Sequence, residues 1–244
     1  MKKAIKLIAA ASIISCLISC SKSTDNAPGP QPAGVIYVTN AVIGGATLTL
    51  TSNSLNIISG GNTVGINAAT WFPLAGGQNT ITLGVPAIAA TPTTPAIPAI
   101  VYYTGTFNID NSSNYSIFLT GASSAAIDTV VINENAKSQL STYTDSICGV
   151  RFINLAPGSN PVSVNIKGNA NGSEAGGIAY KGYTDFITYP AKKANSAYIF
   201  EFRDAGTGTL IASYTLATPY FNHVALALRG TVGGNVGVIL LKYY

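Results

Sequence analysis

The sequence predicts an all-β protein, two tandem antiparallel β-sandwich domains behind a cleavable leader, and three observations predict it. Short runs rich in Val, Ile, Thr, Tyr and Phe recur between Gly, Asn, Asp and Pro breaks. No apolar pattern of helical period is long enough to carry a core helix. A block in the second half also repeats one in the first. Ile36-Tyr37-Val38-Thr39-Asn40 matches Val150-Arg151-Phe152-Ile153-Asn154, with residues 40 and 154 lying 114 positions apart.

The leader comes first. Met1-Lys2-Lys3-Ala4-Ile5-Lys6 is basic, and the apolar stretch Leu7 to Ser19 spans 13 residues. That length fits the ~7–15-residue apolar region of a secretory signal and falls short of the ~18 residues of a spanning helix. Leu17-Ile18-Ser19-Cys20 closes it with the outline of a bacterial lipoprotein signal: small Ser19 admits a peptidase to the bond before Cys20. The Cys20 thiol resembles the acceptor of a diacylglyceryl thioether. Ile13-Ile14-Ser15-Cys16 is an alternative cut with a shorter apolar run, and an ordinary secretory leader is the bland alternative. The expectation is a signal peptide over 1–19, lipidation at Cys20 and export to the outer membrane. The membrane is then a partner through the lipid anchor, with the periplasmic or the outer face left open. Ser21 to Ala33, with three prolines among small polar residues, reads as the rest of a flexible tether over 20–33.

Cutting before Cys20 removes Lys2, Lys3 and Lys6, so ten basic residues face nine acidic ones and the mature charge is +1. Nucleic-acid binding needs Lys and Arg clustered on one face, and none are. Charged residues make up 9% of the chain, against about 25% in an average soluble protein. Polarity comes instead from Thr, Ser, Asn and Gly. Cys148 is left alone, so an internal disulfide has no partner, and it reads as a small buried side chain at a strand start.

The strands follow in order. Val35 to Thr39 is the first, and Thr47 to Thr51 alternates polar and apolar residues. Thr80-Ile81-Thr82-Leu83 puts Ile81 and Leu83 on one face, as a half-buried strand requires. Continuing the repeat without a gap, Gly44 meets Gly158 and Leu48-Thr49-Leu50 meets Val162-Ser163-Val164. Trp71-Phe72-Pro73 lies near Thr188-Tyr189-Pro190, Ile81 to Val85 corresponds to Tyr198 to Phe202, and Tyr115 to Gly121 corresponds to Val224 to Gly230. The expected domains are 34–133 and 147–244, joined by a linker over 134–146. Each has about 100 residues and seven or eight short strands, the size and texture of an immunoglobulin-like sandwich.

Val150-Arg151-Phe152-Ile153-Asn154-Leu155-Ala156-Pro157-Gly158, followed by Val162-Ser163-Val164-Asn165-Ile166-Lys167-Gly168, resembles the opening of domain of unknown function family 4397. Members of that family pair a V-R-F-x-N-x-x-P segment with a V-D-V-x-x-x-G strand. The resemblance covers the second copy and, more faintly, the first. It implies a β-sandwich on secreted or lipid-anchored bacterial proteins, often in tandem, with no established reaction. Ser163 and Thr49 stand where many members have Asp. The lipoprotein leader with tandem domains is also similar to surface lipoproteins of Bacteroidota.

Catalytic chemistry finds no constellation in the sequence, so no catalytic residues, cofactor or metal site are expected. The only histidine, His223, enters a strand, and its counterpart in the first copy is Asn114. One His without a thiolate pair cannot assemble a zinc set. Asp110-Asn111-Ser112-Ser113-Asn114 spaces oxygen ligands as a calcium loop does but lacks the Gly and distal Glu, so it reads as an Asx-type turn. Glu174, Asp185, Glu201 and Asp204 are scattered.

One feature breaks the internal symmetry. Pro86 to Ile100 is an insertion where the second copy has only Asp204-Ala205-Gly206-Thr207-Gly208. Its prolines favour an extended, polyproline-like tip that exposes Ile88, Ile97 and Ile100 unless they dock. Pro86, Ile88, Pro92, Pro95, Ile97 and Pro98 therefore form a candidate partner-contact loop for a protein or glycan, against the bland reading of a tolerated length variant. Tyr180, Tyr183, Phe186 and Tyr189, around Lys181 and Asp185, form a weaker candidate for stacking on sugars. Asp128-Thr129-Val130 and Asp145-Ser146-Ile147 are similar to an O-glycosylation sequon of Bacteroidota, which makes Ser146 and Thr129 candidate acceptors. The functional expectation is a lipid-anchored envelope protein with non-catalytic modules, acting in adhesion, ligand capture or as an accessory of an envelope complex. The alternative is a carbohydrate-binding accessory lipoprotein of polysaccharide uptake.

Overall fold

The computed structural model describes residues 33–53, 61–93, 95–110, 113–134, 147–191, 197–217 and 223–243. The leader, Cys20, most of the tether, linker residues 135–146 and with them Ser146 lie outside the described residues. Every regular element among the described residues is a strand, and there are sixteen. The first half contains β1 (Ala33–Asn40), β2 (Leu48–Ser52), β3 (Thr63–Val64), β4 (Ala68–Ala75), β5 (Gly77–Val85), β6 (Ile100–Ile109), β7 (Asn114–Ser123) and β8 (Ala126–Asn133). The second contains β9 (Ile147–Leu155), β10 (Val162–Ile166), β11 (Ala175–Ile178), β12 (Ile187–Pro190), β13 (Ala197–Asp204), β14 (Leu210–Ala217), β15 (His223–Gly230) and β16 (Val236–Tyr243).

The two halves share one topology. Sheets β3-β2-β5-β6 and β4-β1-β7-β8 make the first sandwich; β11-β10-β13-β14 and β12-β9-β15-β16 make the second in the same order. Most pairs are antiparallel, but β1 runs parallel to β7 and β9 parallel to β15, a feature that short hairpin-like runs do not reveal in sequence. The repeat is placed more finely by strand pairing than by the sequence match. Ile36 faces Phe72 and Val150 faces Ile187, which makes Trp71 the counterpart of Phe186 rather than of Thr188. Leu50 faces Leu83 and Val164 faces Phe202, which moves the counterpart of Ile81 from Tyr198 to Phe200. Both corrections are shifts of two residues. Side chains alternate with period two, so such a slip keeps every residue on its face and leaves no trace in the hydrophobic pattern.

Alternation fills each sandwich core. Ile36, Val38, Leu48, Leu50, Ile81, Leu83, Ile117 and Leu119 pack between the first two sheets, and Phe152, Val162, Val164, Phe200, Phe202 and Leu226 between the last two. Phe152 meets Phe200 edge-on at 5.1 Å. Burying each such side chain contributes about 1.5–3 kcal/mol. The outermost face of the first sandwich is lined by threonines, with Thr80 paired to Thr106 and Thr82 to Thr104 across β5 and β6.

Pro32–Tyr244 forms one compact unit. The outer faces of sheets β4-β1-β7-β8 and β12-β9-β15-β16 close on each other. Tyr37, Phe118, Val130 and Ile132 pack there with Ile153, Leu155, Phe186, Ala225, Ile239, Leu241 and Tyr243. The Thr120 hydroxyl donates to the Leu155 carbonyl at 2.6 Å across this seam. The result is four sheets in layers with three apolar interiors. β9 and β15 are consequently buried on both faces, which explains their unbroken runs of buried residues. A matched pair of glycines lies near the ends of β7 and β15. Gly121 (φ 148°) and Gly230 (φ 89°) are equivalent, and a Cβ on either would lie about 2 Å from a backbone carbonyl oxygen.

Candidate functional site

The insertion forms a hairpin that prolongs β5 and β6. Val85 pairs with Ile100 at its base, and beyond them Ile88 and Ile97 exchange two N–H···O bonds, each 2.9 Å. The polyproline-like expectation gives way here because Ile88 and Ile97 both have an N–H to donate. Pro86, Pro92, Pro95 and Pro98, which have none, fall outside this pair. These four prolines are exposed, as are Ile88 (52%), Ile97 (44%), Ile100 (44%) and Val101 (60%). A shallow groove of about 150 Å3 runs beside its base along Thr49, Thr82, Val85, Pro86 and Ile100. In the second half the same connection is a tight turn. There the Asp204 carboxylate accepts N–H bonds from Gly206 (3.0 Å) and Thr207 (2.8 Å) and a side-chain bond from Asn160 (2.8 Å). The Asn160 bond first, and then the backbone donors, hold its pKa below the ordinary carboxylate value.

The aromatic group does not come together as a platform. The Tyr180 hydroxyl donates to Asp128 of β8 at 3.0 Å, and Lys181 pairs with the same carboxylate at 2.8 Å, so this loop clips the two sandwiches together. Burial, with Asp128 beside it, pushes Tyr180 up to about 12. Phe186 lies in the seam between sandwiches, and Tyr189 lies in the second core with its hydroxyl on Glu174 at 2.7 Å. Tyr183 is 39% exposed. Thr129 is half-buried in β8, and its neighbour Asp128 is engaged by Lys181 and Tyr180.

His223, Cys148 and Glu201 each pack or bond within the second sandwich and its seam. His223 opens β15, opposite Gly149, and stands edge-on to Phe186 at 4.9 Å; burial and then Arg151 lower its pKa. A Cβ at residue 149 would lie 2.3 Å from the imidazole, so Gly149 makes the room. Cys148 sits in the second core, where burial raises its thiol to about 11. Glu201 is held by Arg203 (2.8 Å) and Asn165 (3.0 Å), and Asp110 and Ser113 bond each other. Among the described residues no three His, Cys, Asp or Glu side chains converge on a metal position.

One polar cluster is not evident from the sequence. Arg151, the arginine of the V-R-F segment, is fully buried in the seam, and Nη1 donates to both Glu134 oxygens at 2.7 and 3.0 Å. Ser116 donates to Glu134 at 2.6 Å, Tyr243 reaches it at 3.4 Å, and the guanidinium lies 4.2 Å from the Phe186 ring. The only hint in sequence is a charged residue inside an otherwise apolar strand. Asn154, from the same segment, donates to the Ile178 carbonyl (3.1 Å) and to Ser159 (3.0 Å), and accepts from the Ala156 N–H (3.1 Å). It fastens the end of β9 to the loops around it.

Fold and site together define, among the described residues, an all-β double sandwich whose projecting element is an exposed apolar hairpin. No family model matches the chain, and no curated protein matches its sequence. Among solved structures, it is similar to a family 26 carbohydrate-binding module from Eubacterium rectale Amy13K, solved with maltoheptaose, at 9% identity over 87% of this chain and 97% of that one, with a TM-score of 0.27. The fimbrial anchor protein Mfa2 from Porphyromonas gingivalis follows at 12% identity over 86% and 97%, TM-score 0.26. An α-glucan-binding streptococcal virulence factor shows 10% identity over 85% and 97%, TM-score 0.27. At these identities and scores the likeness carries no argument about function.

Proposed function

We propose that this protein is a non-catalytic binding module of the bacterial cell envelope, anchored to the outer membrane by lipid on Cys20 and capturing a ligand in adhesion or for a larger envelope complex. The observation that carries the reading is the exposed hairpin from Pro86 to Ile100. Acyl chains contribute about 0.8 kcal/mol per buried CH2, so two or three hold a protein on a bilayer durably. A flexible tether over residues 20–33 would set the body off by roughly 20 Å on average. Membership of domain of unknown function family 4397 belongs to the same proposal. It is supported by the structural role of two motif residues, Arg151 and Asn154.

The test is binding by the intact protein and by a variant in which Ala87 to Ala99 is replaced by a short Gly-Asn turn. Loss of adherence or partner binding with an unchanged melting temperature is expected. Full binding by the shortened protein assigns the ligand elsewhere.

A further inference from the structure

We infer that β6 is an interface strand that pairs antiparallel with β6 of a second copy of this chain, joining two outer sheets into one. This goes beyond the ligand-capture reading. Sheets ordinarily guard an open edge with a charge, a proline, a short strand or a covering element, because unpaired N–H and C=O groups recruit other strands. Seven of the eight edges of these four sheets are guarded in one of those ways. β3 has two residues and β11 four; β4 carries Pro73 and β12 Pro190; β8 carries Asp128 and β16 Lys242. β14 is uncharged but leans onto β16 of the facing sheet. β6 is the exception. Its ten residues, Ile-Val-Tyr-Tyr-Thr-Gly-Thr-Phe-Asn-Ile, include neither charge nor proline, and among the described strands it lies along β5 alone.

The side chains of β6 suit pairing with itself. On the outer face Thr104 and Thr106 are exposed, and their hydroxyls meet those of Thr82 (3.2 Å) and Thr80 (3.1 Å) on β5. Thr51 of β2 faces Thr82 in turn, so threonine rows run across the sheet and end at β6. An antiparallel pair centred on Gly105 sets Thr104 of each chain opposite Thr106 of the other and carries both rows into the second copy. The inward face then sets Tyr103 against Phe107, an aromatic cross-strand pair beside each core. Gly105 suits the centre because the Tyr103 side chain lies over it: a Cβ there would be 2.1 Å from the Tyr103 hydroxyl.

Two properties select a second copy over another partner. The strand has no charge to match against a foreign edge, whereas its threonine rows and its aromatic pair complement themselves. Antiparallel pairing of a strand with itself is also twofold, so it closes at a dimer instead of growing into a fibre. The hairpin limits the contact further. Pro95 and Pro98 come just before β6 and have no N–H to offer, which confines pairing to Ile100–Ile109. Residue 100 then faces residue 110 of the second copy, which sets the bases of the two hairpins roughly 34 Å apart at ~3.4 Å per residue.

Sedimentation equilibrium of the full chain in density-matched detergent tests this for wild type, the double variant Thr104→Lys, Thr106→Lys, and the control Thr51→Lys. All three positions are exposed, so unchanged melting temperatures are expected. Wild type should sediment as a dimer at micromolar concentration. In the double variant each Lys opposes a Lys of the second copy, and association should weaken roughly thirtyfold, about 2 kcal/mol, from two opposed like-charge pairs. Thr51→Lys lies two strands inside the edge and should leave the dimer intact. Should the double variant fail to fold, oxidising a mixture of Thr104→Cys and Thr106→Cys chains gives a second measurement: the cross-linked dimer should form well above its level in either variant alone. A monomeric wild type, including one that pairs only with a strand of a different protein, overturns the second-copy assignment. A dimer that the double variant leaves intact, or that Thr51→Lys breaks equally, overturns its location at β6. Absence of the mixed cross-link overturns the register. All these variants leave the hairpin in place, so capture of a ligand by it stands or falls separately.

Discussion

Replacing Glu134 with Ala should be among the most damaging single substitutions in this protein. Both members of the Glu134–Arg151 pair have side chains at 0% exposure. The Glu134 oxygens accept from Nη1 of the guanidinium, and among the described residues Arg151 Nε and Nη2 have no hydrogen-bond partner. Glu134→Ala therefore strands a cation between two sheets, which costs about 3–5 kcal/mol. Ser116 loses its acceptor as well, adding about 1 kcal/mol. Against a total stability of about 5–15 kcal/mol the variant is marginal, with a melting temperature roughly 10 °C lower or more. The exposed pair Lys181–Asp128, at 43% and 41% exposure, provides the contrast. Asp128→Asn should cost no more than about 1 kcal/mol. The double variant Glu134→Gln, Arg151→Met removes the stranded charge and should recover most of the loss. Urea unfolding followed by circular dichroism measures all four proteins. A Glu134→Ala cost no larger than that of Asp128→Asn would refute the dependence of the seam on this pair.

Three further outcomes follow from local geometry. Gly121→Ala and Gly230→Ala should each lower stability by more than about 3 kcal/mol, because each adds a Cβ driven against a backbone carbonyl oxygen to the strain of a positive φ. Gly44→Ala, at φ 62° with open space around it, should cost only about 1–2 kcal/mol in thermal melts. His223 has a folded pKa below its ordinary 6.5, through burial and Arg151, so the unfolded chain binds the proton more readily. Stability should be complete above about pH 6.5 and decline as pH falls toward the depressed folded value. His223→Gln should flatten that slope in urea titrations from about pH 4 to 8. Cys148, raised to about 11 by burial, should resist iodoacetamide in the native protein and react once urea unfolds it, as peptide mass spectrometry would record.

The β class and the twofold repeat are legible in the sequence because alternation and the shared Asn40 and Asn154 segments are local signals. Thr80 to Leu83 reads as half-buried in sequence and is so in the structure, with Ile81 and Leu83 at 0% exposure. The seam is not legible, although its trace is present. Val224-Ala225-Leu226-Ala227-Leu228 has no polar alternation, which is the mark of a strand covered on both faces. Arg151 conceals it, since a charged residue in a strand ordinarily faces water, and its partner Glu134 lies 17 positions away at the edge of the linker. The equivalence of Trp71 and Phe186 is hidden as well. The sequence match sets the counterpart of Trp71 two residues off, at Thr188, and only the strand register aligns it with Phe186.

The proposed lipid anchor at Cys20 is the central claim, and fractionation of cells producing wild type and Cys20→Ser, with the mass of the mature amino terminus, tests it most directly. Wild type is expected in the membrane fraction, beginning at an acylated Cys20, and the variant is expected to be released in soluble form. An unmodified terminus, or a Cys20→Ser protein that stays with the membrane, would contradict it.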